Sequence, residues 1–169
     1  LANRAVGNPE GMAALELTVT GPTLRFNTDS VIALAGAHMK ALLDGAEVEY
    51  WQPVAVKAGS TLKLRAIDGA GNRTYLAVKG GFDVPEYMGS RATFTLGQFG
   101  GHGGRTLQVG DVLRLNVSGS LDESCKPVPD ALVPAYDRHW DVGVMYGPHG
   151  APDFFTDGDI DTFFNTDWE

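Results

Sequence analysis

Between Gly80 and Arg105 the sequence gathers most of the residues whose types and spacing suit chemistry. They run Gly80-Gly81-Phe82-Asp83-Val84-Pro85, then Gly89-Ser90-Arg91-Ala92-Thr93, then Phe99-Gly100-Gly101-His102-Gly103-Gly104-Arg105. Paired glycines let backbone N–H groups converge on an anion or a carbonyl oxygen without a Cβ in the way. Ser90, Arg91 and Thr93 add side-chain donors suited to a carboxylate or ureido group. His102, set between two glycine pairs, is accessible and able to move a proton near neutral pH. The same glycines would equally serve tight turns, and composition alone leans toward that use.

Other chemistries lack their residues. No Gly-Lys-Ser/Thr opens a helix and no G-x-G-x-x-G occurs, so nucleotide-phosphate loops are excluded. No G-x-S-x-G elbow presents a serine nucleophile. The four histidines, His38, His102, His139 and His149, show no zinc spacing, and no metal site is expected. Asp157-Gly158-Asp159-Ile160-Asp161 imitates the start of a calcium loop, but Thr162 stands where Gly is required and Trp168 where Glu is. Cys125 is the single cysteine, expected in an exposed polar loop and inert. It cannot form an internal disulfide, which fits a reducing, cytoplasmic setting. Asn72-Arg73-Thr74 and Asn116-Val117-Ser118 match a glycosylation pattern that arises often by chance.

Charge narrows the partners. Thirteen Lys and Arg against 21 Asp and Glu give −8, with no cationic cluster to displace counterions from nucleic-acid phosphates. No apolar run approaches the roughly 20 residues of a membrane span. The N-terminal Leu1-Ala2-Asn3-Arg4 has neither an initiator Met nor a signal layout, as expected of a processed start or a piece of something longer.

The elements that must position these residues read as short strands. Twenty-two Gly and nine Pro in 169 residues argue against a helical bundle. Leu15, Leu17 and Val19 alternate, Leu24-Arg25-Phe26 forms a second short piece, and Val31–Ala37 is a fully apolar run. Ala46–Tyr50, Trp51–Val56, Thr61–Leu64 and Arg73–Val78 follow, with Asp68-Gly69-Ala70-Gly71-Asn72 as a hairpin turn. Leu107–Leu115 supplies another pair, and Trp140–Tyr146 a later strand. Residues 1–8 end a helix before Gly7-Asn8-Pro9, and Thr156 or Asp157 caps a second one. The count predicts a β-barrel or sandwich. Residues 1–117 are read as a Gly-rich β-barrel subdomain and 118–135 as a connecting segment. Residues 136–169 start a second β subdomain with a short helix, cut off at its end.

Two stretches resemble a known family. Asn3-Arg4-Ala5-Val6-Gly7-Asn8-Pro9 and the run from Gly80 to Phe94, with Glu86-Tyr87-Met88-Gly89-Ser90-Arg91 at its centre, are similar to the allophanate hydrolase subunit 2 family. That family also includes the KipA-type proteins and a subunit of 5-oxoprolinase. The stretch from Tyr136-Asp137-Arg138-His139-Trp140 to Pro152-Asp153-Phe154-Phe155 resembles, more narrowly, the carboxyltransferase domain of urea carboxylase.

The resemblance implies a mainly β, cyclophilin-like barrel with a few short helices, an incomplete portion of a larger carboxyltransferase domain. It implies carboxyl transfer from carboxybiotin to urea, giving allophanate, with the biotin carried on a separate domain. A subunit-1-like domain and biotin carboxylase and carrier domains would be the partners, fused or separate. By motif match, Ser90, Arg91 and His102 would be catalytic, and Gly89, Thr93, Gly100 and Gly101 would bind substrate. A piece of this length is expected to be inactive alone. The alternatives are a subunit of an ATP-dependent 5-oxoprolinase complex and a KipA-like, non-enzymatic regulator that binds a subunit-1 partner.

Overall fold

A computed structural model describes residues 1–116, 119–145, 147 and 153–168. A short helix α1 (Ala2–Ala5) is followed by eight strands: β1 (Leu15–Thr18), β2 (Thr23–Arg25), β3 (Ser30–Gly36), β4 (Met39–Leu43), β5 (Ala46–Glu47), β6 (Val54–Val56), β7 (Thr61–Ile67) and β8 (Arg73–Val78). They form two four-stranded antiparallel sheets, in the orders β1-β8-β3-β6 and β2-β7-β4-β5. The chain is therefore mainly β, as the sequence predicts.

Apolar residues from both sheets meet in one core. Leu17, Ile32, Leu34, Val56, Leu76 and Val78 come from the first sheet, and Met39, Ala41, Leu62 and Leu64 from the second. Along β7 the alternation is visible directly, with Leu62 and Leu64 buried and Lys63 and Arg65 exposed. In β3 it disappears, because the outer face of that sheet is covered as well. Val31, Ala33, Ala35 and Ala77 pack there against Ala2, Ala5 and Val6 of the N-terminal turn and against Val128. The small alanines suit this close approach of a helix to a sheet. Two-sided burial is why Val31–Ala37 reads as an unbroken apolar run.

The predicted barrel is corrected to two sheets that are not closed into one. After β1 the chain reaches the second sheet through a single bridge, Thr20 to Ala66, flanked by Gly21 N–H to Arg65 O and Ile67 N–H to Val19 O. Closure needs a continuous ladder around the perimeter. Strands of two and three residues at β5 and β6 do not supply one.

Other expectations differ in identifiable ways. The strand β4 falls in a stretch with no sequence signal assigned to it. Leu107–Leu115 forms no hairpin, and only Leu115 makes a bridge, to Phe82. Among the described residues 140–145 there is no strand, since none of them finds a partner to pair with. Residues 122–128 of the connecting segment run along the surface of the first unit. Lys126 N–H donates to Ala5 O, Val128 N–H to Trp51 O, and Lys79 pairs with Asp122.

Compactness divides the chain into residues 1–138 and 139–169. The second unit contains helix α2 (Asp157–Asn165), capped by Thr156 as predicted. Val117, Ser118 and His149, with the rest of 148–152, lie outside the described residues, and so do the 117/118 boundary and part of the later motif. No helix among the described residues is long and apolar enough to cross a membrane.

Candidate functional site

The residues singled out by type lie in an excursion between Gly80 and Asn116 that carries no strand. Its two ends are tied together at the base. Asn8 Oδ1 accepts from Gly80 N–H at 2.7 Å, while Asn8 Nδ2 donates to Val78 O at 2.8 Å. From the returning side, Asn116 Nδ2 donates to Gly80 O at 2.9 Å and Asp83 N–H to Arg114 O at 2.8 Å. The Asn3–Pro9 motif is thus a clamp: Asn3 Nδ2 bonds Met12 O at 2.7 Å and Asn3 Oδ1 accepts from Asn8 Nδ2.

Inside the excursion, a two-residue turn comes first. Tyr87 and Ser90 exchange backbone hydrogen bonds of 2.8 and 3.0 Å around Met88 and Gly89, both at positive φ. Two left-handed central residues define a type I′ turn, which is what Gly89 makes possible. Ser90 Oγ accepts from Ala92 N–H at 3.1 Å. Arg91 Nη2 lies 3.0 Å from Glu86 Oε2, and its Nη1 donates to Gly11 O at 3.4 Å. The Arg91 side chain stays 35 % exposed, so part of its five-donor fork faces solvent.

A second turn pairs Phe94 with Phe99. The Phe99 ring centroid lies 4.9 Å from Tyr87 and 5.2 Å from Phe94. Behind it the glycines close on their own loop. A Cβ on Gly100 would meet Ala92 O, one on Gly101 would meet Thr93 Oγ1, and one on Gly104 would meet the Gln98 carbonyl. Gly89 and Gly103 border open space instead.

The third feature is ionic. Arg105 grips Asp111 with two hydrogen bonds of 2.8 Å, and Gln108 N–H donates to the same carboxylate at 2.8 Å. The Arg105 guanidinium, then the Gln108 amide, hold the Asp111 carboxyl far below its usual range. His102 Nε2 sits 3.9 Å from Asp111 Oδ1.

The structure therefore brings Thr93 against Gly100 and Gly101, keeps Ser90 and Arg91 adjacent beside the first turn, and sets His102 toward Asp111. Arg91 pairs with Glu86, whereas His102 lies near Asp111, an acid already bound by Arg105. Glu86, Asp111, Asn8 and Asn116 were not among the candidate site residues, although Glu86 and Asn8 stand in the motifs that carry the resemblance and Asn116 in a glycosylation pattern. The one available signal was charge: Arg105 and Asp111 are opposite and six residues apart. The exposed donors of Ser90 and Arg91, with open backbone at Gly89 and Gly103, suit a carbonyl or carboxylate oxygen. No group of three or more His, Cys, Asp or Glu residues is placed to hold a metal among the described residues. Cys125, expected to be exposed, is half-buried against the outer face of the first sheet, with Lys79 Nζ 3.3 Å from its sulfur.

Comparison with known proteins gives this geometry a family. The model of the carboxyltransferase domain, subdomains A and B, matches residues 1–169. The chain belongs to the carboxyltransferase domain family. It is 44 % identical to urea amidolyase of Saccharomyces cerevisiae over all of its length, and 40 % identical to a putative urea carboxylase of Emericella nidulans over 99 % of it. The chain spans only 9 % and 14 % of those two relatives. A 5-oxoprolinase subunit of Escherichia coli is 42 % identical over 70 % of the chain, which spans 38 % of that protein. Among solved structures, Kluyveromyces lactis urea amidolyase superposes with a TM-score of 0.84 at 41 % identity, over 98 % of this chain and 10 % of that one.

Proposed function

We propose that this chain forms part of a carboxyltransferase site that moves a carboxyl group from carboxybiotin to urea, giving allophanate. The observation that carries this reading is the extent of the likeness. Similarity to urea amidolyase runs through the whole chain, whereas the likeness to the 5-oxoprolinase subunit extends over 70 % of it. Biotin, presented by a carrier domain elsewhere in a longer protein, supplies an activated carboxyl group. The residues present fit such a guest at the level of donor chemistry, because Ser90 and Arg91 offer exposed N–H and O–H groups for a ureido or carboxylate oxygen. The partner domains, biotin carboxylase, carrier and subunit-1-like, and a cytoplasmic setting belong to the same proposal.

In this reading Arg91 stabilises negative charge on the oxygen that develops it, which is worth most where the donor is already oriented. Glu86 fixes that orientation from one side and the Gly11 carbonyl from another. Ser90 adds a neutral donor, and Gly89 lets the turn present both. Thr93, Gly100 and Gly101 shape the neighbouring wall. His102, near Asp111, would exchange a proton with the nucleophilic amide.

Arg91→Ala in the full-length protein, assayed for urea-dependent carboxylation, should lower turnover about 100-fold. Unchanged turnover removes Arg91 from the site. The identity shared with the 5-oxoprolinase subunit favours one second reading, a role in 5-oxoproline hydrolysis. ATP-dependent turnover of 5-oxoproline with no turnover of urea would replace the first reading by that one.

A further inference from the structure

A separate cleft lies at the corner where β3 passes into β4 and β7 turns into β8. It measures about 240 Å³ and is lined chiefly by Gly36, His38, Tyr50, Trp51, Asp68 and Tyr136. None of the residues of the 80–116 excursion takes part, so the chemistry of this cleft is independent of the carboxyltransfer reading.

The walls are aromatic and held in place. The His38 and Tyr50 rings lie 5.1 Å apart at 41°. Tyr50 Oη accepts from Met39 N–H at 2.8 Å and donates to Met39 O at 3.0 Å, which anchors that ring. Trp51 sits at φ +65°, a left-handed conformation that a bulky residue rarely adopts. It is kept there by Trp51 N–H to Leu34 O at 2.8 Å and Val128 N–H to Trp51 O at 2.7 Å. Over-determined strain of this kind tends to gather at ligand sites.

Beside the His38 imidazole, the acidic content is one carboxylate, Asp68. The main chain at Asp68 is fixed by its N–H, which donates to His38 O at 2.9 Å, and its side chain is exposed. Its carboxylate has no hydrogen-bond or ion-pair partner among the described residues. Among the described residues no Lys or Arg lines the cleft. Arg73, whose main chain borders it beside Gly36, directs its guanidinium to Glu16 and the Asn72 carbonyl. An anion would therefore find a bare carboxylate, and an uncharged apolar group would leave Asp68 unused. A cation satisfies both the ring faces and the carboxylate, and the net charge of −8 favours its approach.

We propose that this cleft binds an organic cation, an alkylguanidinium or alkylammonium group, against the Tyr50, Trp51 and Tyr136 rings with Asp68 as counter-charge. The group arrives either on a free small molecule or on an Arg or Lys side chain of another segment.

An alkylguanidinium carrying a diazirine, photoactivated on the full-length protein, tests the first source. Label should appear on peptides containing Tyr50–Trp51 or Tyr136. Guanidinium chloride should compete it away, and Asp68→Asn should reduce it about tenfold. Urea, a planar neutral isostere, should not compete. A benzophenone side chain introduced at Ala70, which also lines the cleft, tests the second source by cross-linking to a peptide bearing Arg or Lys. Competition by urea equal to that by guanidinium overturns the proposal, as does label indifferent to Asp68→Asn. Absence of both label and cross-link overturns it too.

Discussion

In the two-sheet body, Ile32, Leu34, Leu62 and Leu76 are wholly buried, and paired strands carry the backbone hydrogen bonds. In the Gly80–Asn116 excursion, Met88, Leu96 and Val109 are largely exposed, and two bridges within it and one to its own base replace ladders. The body is held by area removed from water, which is non-directional and tolerant of surface change. The excursion is held by left-handed glycines, an Arg105–Asp111 fork and asparagines at its neck. Its shape rests on a few discrete contacts, and the candidate site residues inherit that dependence.

The largest expected effect lies in the body. Leu76→Ala removes a fully buried side chain from the shared core and should cost about 2–5 kcal/mol in denaturant unfolding. Met88→Ala, at 88 % exposure in the excursion, should stay within about 0.5 kcal/mol. Comparable losses at both positions would erase the contrast.

Next comes the backbone of the excursion. Gly100 stands at φ +75° with its would-be Cβ against Ala92 O, so Gly100→Ala should cost about 1–3 kcal/mol locally. Faster amide exchange at Phe94, Phe99 and Gly104, with β3 and β8 unchanged, is the expected signature. Gly103→Ala has a similar φ of +70° but open space around it, and should do less. Faster exchange spreading into β3 would mean that the two regions unfold as one.

Acid should separate the regions further. Asp111 is held far below its unfolded value of about 3.9. A carboxylate so depressed contributes its stabilisation above the unfolded pKa and loses it as pH falls through the folded one. Protection of the Gln108–Asp111 turn should therefore persist at pH 4 and fail only on further acidification. Asp111→Asn should open this turn already at neutral pH and flatten the acid step, leaving the sheets intact. An acid step that survives Asp111→Asn would assign it to another carboxylate.

The same contrast decides which features are legible in the sequence. Leu15 and Leu17, the apolar 31–37 run and the Asp68–Asn72 turn were legible, because period and turn chemistry are local properties. Strand β4 was not, since Met39-Lys40-Ala41-Leu42-Leu43 is as compatible with a helix and becomes a strand through pairing with β7. Leu107–Leu115 failed in the opposite sense: its alternation is strand-like, but Asp111 is committed to Arg105 and no neighbouring strand pairs with it. Open edges were equally invisible, because closure depends on ladder lengths at β5 and β6. At the candidate site, Ser90, Arg91 and His102 could be named by type. Glu86, which pairs with Arg91, and Asp111, which lies near His102, could not, because charge and spacing alone do not say which acid folds back onto which base.

Helix α2 offers the smallest and most local test of the same distinction. None of its nine residues is buried, so burial contributes little to it. A helix this short is marginal on propensity alone. Phe163 meets the Phe164 and Trp168 rings at 5.4 and 5.6 Å, and the N-terminal end carries a capping box. Thr156 Oγ1 accepts from Asp159 N–H at 3.2 Å and donates to Asp159 Oδ2 at 2.7 Å, while Thr156 N–H donates to that same oxygen at 2.8 Å. Thr156→Ala should cost about 1 kcal/mol and raise amide exchange at Asp159 and Ile160, and Thr156→Ser should restore protection. If Thr156→Ala leaves exchange unchanged, α2 is held by packing, and its likeness to the contact-held excursion fails.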